Sequence, residues 1–89
     1  MPVISIFFGI IIRMYFDDHP PPHFHAEYQG FRALIRIADG QVLDGQLPRK
    51  ATNIVRQWAL DHNRELMANW QRGMDLLPME LVPGADQDD

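Results

Sequence analysis

The sequence has no cysteine. That removes disulfides and zinc–thiolate centres from consideration, and it suits a cytoplasmic protein. Serine occurs once, at Ser5, which all but excludes a serine nucleophile. There is no glycine-rich phosphate loop and no internal repeat. Long apolar runs are missing as well. The longest, "VISIFFGIII", has ten residues including a serine and a glycine, whereas a helical membrane span needs about 20. It follows "MP" and leads into Arg13, without the positive start and small-residue cleavage site of a signal peptide. It reads as strand.

An excess of positive charge is also absent. Eight basic residues face 12 acidic ones, a net charge of −4. The tail "GADQDD" holds Asp86, Asp88 and Asp89, leaving residues 1–83 with 8 bases against 9 acids. A near-neutral body carries no overall nucleic-acid footprint, and nothing points to DNA. The chain of 89 residues is 46% hydrophobic, enough for a folded domain and too much for disorder. The expectation is one domain over residues 1–83 and an acidic disordered tail over 84–89. A chain this short buries roughly 60–65% of its unfolded surface, so its core is thin.

What is present divides into recognisable segments. Residues 3–16 are rich in Ile, Phe, Val and Tyr, which suit a pleated, half-buried surface. Gly9 predicts a bulge or bend within them, with the better-defined strand over 10–16. Three prolines make Asp17 to Pro22 a loop, since proline cannot donate to a ladder and restricts the residue before it. "HFHAEYQGFRALIRI" predicts a hairpin turning at Gln29-Gly30. That register opposes Tyr28 to Phe31, Glu27 to Arg32, Ala26 to Ala33, His25 to Leu34, Phe24 to Ile35 and His23 to Arg36. Side chains alternate along a strand. One face therefore carries Phe24, Ala26, Tyr28, Phe31, Ala33 and Ile35, and the other His23, His25, Glu27, Arg32, Leu34 and Arg36.

Asp39-Gly40 marks a further turn, leading to a short strand that Asp44-Gly45 ends. Pro48 suits the first turn of a helix. From there Ala51, Ile54, Val55, Trp58, Ala59, His62, Leu66 and Trp70 fall in one helical sector, making His62, Trp58 and Trp70 core or boundary residues. Gly73 is a stop, and "DHN" at 61–63 could divide the segment. "LLPMELVP" is an extended arm, open to reading as an added strand. The fold expected is α+β: an antiparallel meander of three to four strands packed on one long helix or two short ones.

"FFGIIIRMYFDDHPPPHFHAEY", "VLDGQLP" and the tryptophan and histidine of the helix resemble a family of small bacterial proteins catalogued as domain of unknown function 4160. The resemblance runs from Ile4 to about Pro83, and the "DDH-PPHFHA" core carries it. It implies a single domain, and a regulator or one half of a toxin–antitoxin pair with a small protein partner encoded nearby. It supplies no mechanism.

Three chemistries compete for "DDHPPPHFHAEY". His23, His25 and Glu27 could form a two-histidine, one-carboxylate site. Glu27, however, lies roughly 13 Å from His23 at about 3.3 Å per residue, and Arg32 can pair with it across the hairpin. Asp17, Asp18 or His19 would have to fold back to complete a shell, so the alternative metal set is His19, His23 and His25. Arg32 and Arg36 share that face and oppose a cation. Histidines beside arginines instead suit metal-independent RNA cleavage or phosphate binding, with Arg13, His23, His25 and Arg36 as catalytic candidates. Tyr15, Asp17, Asp18, His19, Glu27 and Arg32 would complete the surface. On the third reading the loop polar groups only satisfy backbone freed by the prolines, and the protein is an interaction module. The register favours an anion over a cation. The expectation is an interaction or regulatory module, without cofactor, with RNA chemistry or metal binding as alternatives.

Overall fold

The structure, a computed structural model, describes residues 2–87. Phe8 and Gly9 both have positive φ, 50° and 76°, and Phe7 pairs with Ile10 across them. Two successive left-handed residues form the tight connection whose twist suits a hairpin, and glycine takes the second place without strain. The apolar N-terminal run therefore doubles back as β1 (Val3–Phe7) and β2 (Ile10–Arg13). The sequence reading has a bulge or bend at Gly9 and a strand over 10–16; here Gly9 is a hairpin turn and β2 stops at Arg13.

Three more strands follow: β3 (His23–Tyr28), β4 (Phe31–Arg36) and β5 (Val42–Gln46). Each is antiparallel to its neighbour in the order β1-β2-β3-β4-β5. The class is α+β as expected, with five strands rather than three to four because of the Gly9 turn. The β3–β4 register is the expected one at all six positions, from Tyr28 opposite Phe31 to His23 opposite Arg36. Gly45 lies inside β5 instead of ending it.

The helical segment forms α1 (Arg49–Asp61) and α2 (Asn63–Met74), separated by His62 at φ −114°, ψ 26°. The break falls where "DHN" offers one. Ala51, Val55, Trp58, Ala59, Leu66 and Trp70 are buried, together with the sheet face that includes Ile12, Phe24, Ala26 and Ile35. Trp58 stands between Phe7 and Phe24, with ring centres 4.9 and 5.7 Å away. Truncating such a tryptophan to alanine costs about 3–5 kcal/mol.

The C-terminal arm is tied down without forming a strand. Asn69 bonds both backbone groups of Glu80 at 2.8 Å. Val82 N–H donates to Ile4 O at 2.8 Å, and Trp58 Nε1–H to Pro83 O at 2.8 Å. Within the expected tail, Gly84 is buried and Ala85–Gln87 form a 3-10 turn; Asp88 and Asp89 lie outside the described residues. Among the described residues no helix is long and apolar enough to cross a membrane. The sheet face opposite the core carries Arg13, His25, Glu27, Arg32, Leu34 and Arg36, all half-buried or exposed.

Candidate functional site

The site forms where β2 hands over to β3. Asp17 takes φ 52°, a left-handed conformation that aspartate tolerates better than most residues. Its N–H donates to Gly73 O at 3.1 Å. Gly73 is buried inside α2, and a Cβ there would lie 3.3 Å from Tyr15 O. Close approach of helix and loop is thus a second role beside the helix stop that its place in the sequence suggests, since α2 ends one residue on, at Met74. The loop then runs through a cis Pro20–Pro21 peptide, and Pro22 O accepts the Ile37 N–H at 3.0 Å.

This anchoring folds Asp18 back over β3. His23 and His25, two residues apart, project on the same side. His23 Nε2 lies 2.9 Å and His25 Nε2 3.7 Å from Asp18 Oδ2. One ligand atom from each of the three falls within 4.8 Å of the others. His23 is not the solvated member of an open face: its side chain is 2% exposed, roofed by the loop and by Trp70 of α2, whose ring centre is 5.2 Å away. Tyr15 sets its ring edge against His25 at 4.5 Å.

Hydrogen-bond accounting shows what the cluster can hold. His23 Nδ1 is 2.7 Å from Pro21 O. A carbonyl only accepts, so Nδ1 must carry the proton, and a neutral imidazole has just one. Nε2 then turns a lone pair toward Asp18 Oδ2, itself an acceptor. The contact is favourable only if the ring takes a second proton or a cation lies between them. His25 Nε2 is buried and makes no hydrogen bond. Three groups able to ligate a cation therefore converge, and His23 has its one neutral-ring proton committed outside the cluster. The bond from His23 Nδ1 to a backbone carbonyl is also the arrangement that fixes the tautomer of metal-binding histidines.

Burial and neighbouring charges act on the other two members of the cluster. Burial pushes the His25 pKa down, aided by His23 and opposed by Asp18, so its ring stays a neutral donor near pH 7. Burial would raise the Asp18 pKa, but the hydrogen bond from the His19 N–H, the charge and hydrogen bond that His23 offers when its ring takes the second proton, and the charge of a protonated His19 outweigh it and hold the group below the usual carboxylate value. Asp18 stays ionised.

The arginines are engaged elsewhere. Arg13 Nε donates to Glu27 Oε2 at 2.6 Å, which takes Glu27 out of any ligand set. The expected Glu27–Arg32 pair is loose, at 3.9 Å, with Arg32 83% exposed. Arg36 forks onto Asp39 at 3.0 and 2.7 Å and, though opposite His23 on the ladder, does not join it. The repulsion that the register alone assigns to Arg32 and Arg36 is therefore largely neutralised. Of the sequence-derived candidates, Tyr15, Asp18, His23 and His25 meet, Arg13 and Glu27 flank them as a pair, and His19 stands at the rim. Trp70 and Asp39 were not in the candidate set. Asp39 was findable from "RIAD", since a carboxylate three residues after an arginine can fork with it across a turn. Trp70 had no local signal.

Family comparison gives one match, the Domain of unknown function (DUF4160), over residues 9–71. The chain belongs to this family. The match takes in β2 through α1, most of α2 and the whole Asp18–His23–His25 cluster, while β1 and the C-terminal arm fall outside it. No curated protein and no solved structure matches the chain.

Proposed function

We propose that this protein binds a divalent transition-metal ion through Asp18, His23 and His25. The observation that carries the reading is at His23. With Nδ1 committed to Pro21 O at 2.7 Å, its Nε2 lone pair is directed at Asp18 Oδ2, 2.9 Å away, and a cation reconciles the two. Two ligand atoms on one tetrahedral ion stand about 3.4 Å apart; the observed Asp18–histidine distances of 2.9 and 3.7 Å bracket that spacing, and all three ligand atoms lie within 4.8 Å of one another, within reach of one ion after local adjustment. Imidazole and carboxylate donors suit zinc, nickel or iron, and one carboxylate against a dication leaves a charge that the nearby ion pairs can tolerate. A cytoplasmic location and a small protein partner belong to the same proposal, supported by the cysteine-free sequence and the family resemblance.

The test is titration of the metal-free protein with Zn²⁺, followed by calorimetry and by the ring nitrogens of isotope-labelled histidine. One-to-one binding with Nε2 of His23 and His25 shifting together is expected. If neither ring responds at micromolar zinc, the cluster is a structural latch between loop and strand, and the metal reading falls.

A further inference from the structure

We propose that His19 is the fourth ligand of the same ion, swinging over Asp18 to close a tetrahedral one-aspartate, three-histidine zinc site. The proposal rests on the metal reading above and adds what that reading leaves open: the coordination number, the metal class and the route of entry.

The ring spacings argue for it. With Zn–N bonds of about 2.0–2.1 Å, two imidazoles on one tetrahedral ion have ring centres about 5.2 Å apart. His23 and His25 stand 5.3 Å apart, already at that value. His19 and His23 stand 5.8 Å apart, within a small rotation of it.

The constraints on His19 leave that rotation free. Its backbone is held twice, by Pro20, which keeps the preceding residue extended, and by its own N–H on Asp18 Oδ1 at 2.9 Å. Its side chain is 85% exposed, and its Nδ1 touches only the rim of the cluster, 3.1 Å from Asp18 Oδ1. A ring anchored at its root and loose at its tip can turn about its side-chain bonds without moving the loop. It also stands on the correct side. His23 and Asp18 are 2% and 16% exposed, and His25 Nε2 is buried, so these three form a recessed floor. A fourth donor must come from solvent, where His19 is.

The chemistry of the set follows. Asp18 would ligate through Oδ2 while Oδ1 keeps the His19 N–H, and His23 would ligate through Nε2 while Nδ1 keeps Pro21 O. Both ligands are then oriented by a bond to their other polar atom, as metal ligands commonly are. Four protein donors in tetrahedral array are the pattern of a closed zinc site, which keeps no position for water or substrate. The ion would then cross-link the β2–β3 loop to β3 and perform no hydrolysis, and His19 would act as the gate through which it enters and leaves.

Cobalt(II) replaces zinc with the same geometry and reports coordination number by its visible absorption, intense when tetrahedral and weak when five- or six-coordinate. The comparison is wild type against His19→Ala, a surface change whose metal-free melting temperature should match the parent. Wild type is expected to give the intense spectrum. His19→Ala should still bind, with affinity lower by ten- to a hundredfold and with shifted bands that change with pH, as a titratable water takes the vacated fourth position. Equal affinity and an unchanged spectrum in His19→Ala would overturn the role of His19 while leaving the three-residue site intact. Absence of cobalt and zinc binding in the wild type would remove both proposals together.

Discussion

Two aspartates reach from loops onto strand side chains in this protein, and they end in opposite conditions. Asp39 meets Arg36 through two parallel bonds of 3.0 and 2.7 Å. Every partner there is a donor facing an acceptor, so the pair is complete and, near the surface, adds little to stability. Asp18 meets two histidines, one of which, His23, has the single proton of its neutral ring committed to Pro21 O, in a place roofed by Trp70 and the loop. A finished ion pair asks for nothing further. A buried ring lone pair facing a carboxylate asks for a positive charge, a second proton or a metal ion, and that asymmetry separates a structural contact from a candidate binding site.

The sharpest way to break the comparison is Asp18→Asn. The amide supplies the missing donor: its N–H can reach His23 Nε2 while its oxygen keeps the His19 N–H. If the site is a metal site, the metal-free variant should melt at or above the parent temperature, while zinc affinity falls by at least about a hundredfold with the loss of a charged ligand. If His23 is instead a doubly protonated ring latched to Asp18, the same change breaks a buried ion pair, at about 3–5 kcal/mol. With about 4–8 °C per kcal/mol for a domain of this size, the metal-free melting temperature would drop by more than about 10 °C. Calorimetric melting of the metal-free proteins separates the two by sign.

The completeness of the Asp39 pair and the incompleteness of the Asp18 cluster were unequally visible in the sequence. Periodicity sorted the hairpin faces and fixed its register at all six pairs, because one slip would have put Phe24 and Ile35 in water. It placed the helical core stripe for the same reason. The chain's reversal at Phe8-Gly9 was not legible: a lone glycine in an apolar run marks a bend, a bulge or a turn equally well, and only Phe8 at positive φ decides it. In the site, alternation showed that His23 and His25 share a side, and the prolines showed that Asp18 lies in a stiff loop. That Asp18 folds inward depends on Gly73, 55 positions on, accepting the Asp17 N–H. Such a contact is set by packing of α2 and leaves no local trace. The sequence preference for an anion came from counting Arg32 and Arg36 without Asp39, and from pairing Glu27 with Arg32 when Arg13 holds it at 2.6 Å.

Glu27 offers an intermediate test. Arg13 sits opposite His25 on the ladder, and Glu27 neutralises it. Glu27→Gln leaves that guanidinium uncompensated beside the cluster without touching a proposed ligand. A unit charge at about 8 Å across a half-wet surface opposes a cation by about 1 kcal/mol, so zinc affinity should drop roughly three- to tenfold. Adding Arg13→Gln should restore it, and raising the salt concentration should shrink the difference. A variant that binds as tightly as the parent at low salt would place the ion farther from Arg13 than His25 is.

The smallest effect belongs to the complete pair. Arg36→Ala should leave zinc affinity unchanged, because Arg36 spends its donors on Asp39, and should move the melting temperature little. Its signature is in acid titration. The Arg36 hydrogen bond, against a smaller opposing effect of desolvation, lowers the Asp39 pKa to about 2. A carboxylate with a depressed folded-state pKa contributes stability above its unfolded value, and that contribution is lost as pH falls through the folded one. The Asp39 carboxyl resonance should therefore titrate near 2 in the parent and return toward the ordinary value of 3.8 in Arg36→Ala, with the acid-side dependence of stability between those two pH values flattening in step. A variant in which Asp39 still titrates near 2 would mean that its own loop backbone holds the carboxylate, and Arg36 would be free to act on the neighbouring histidines after all.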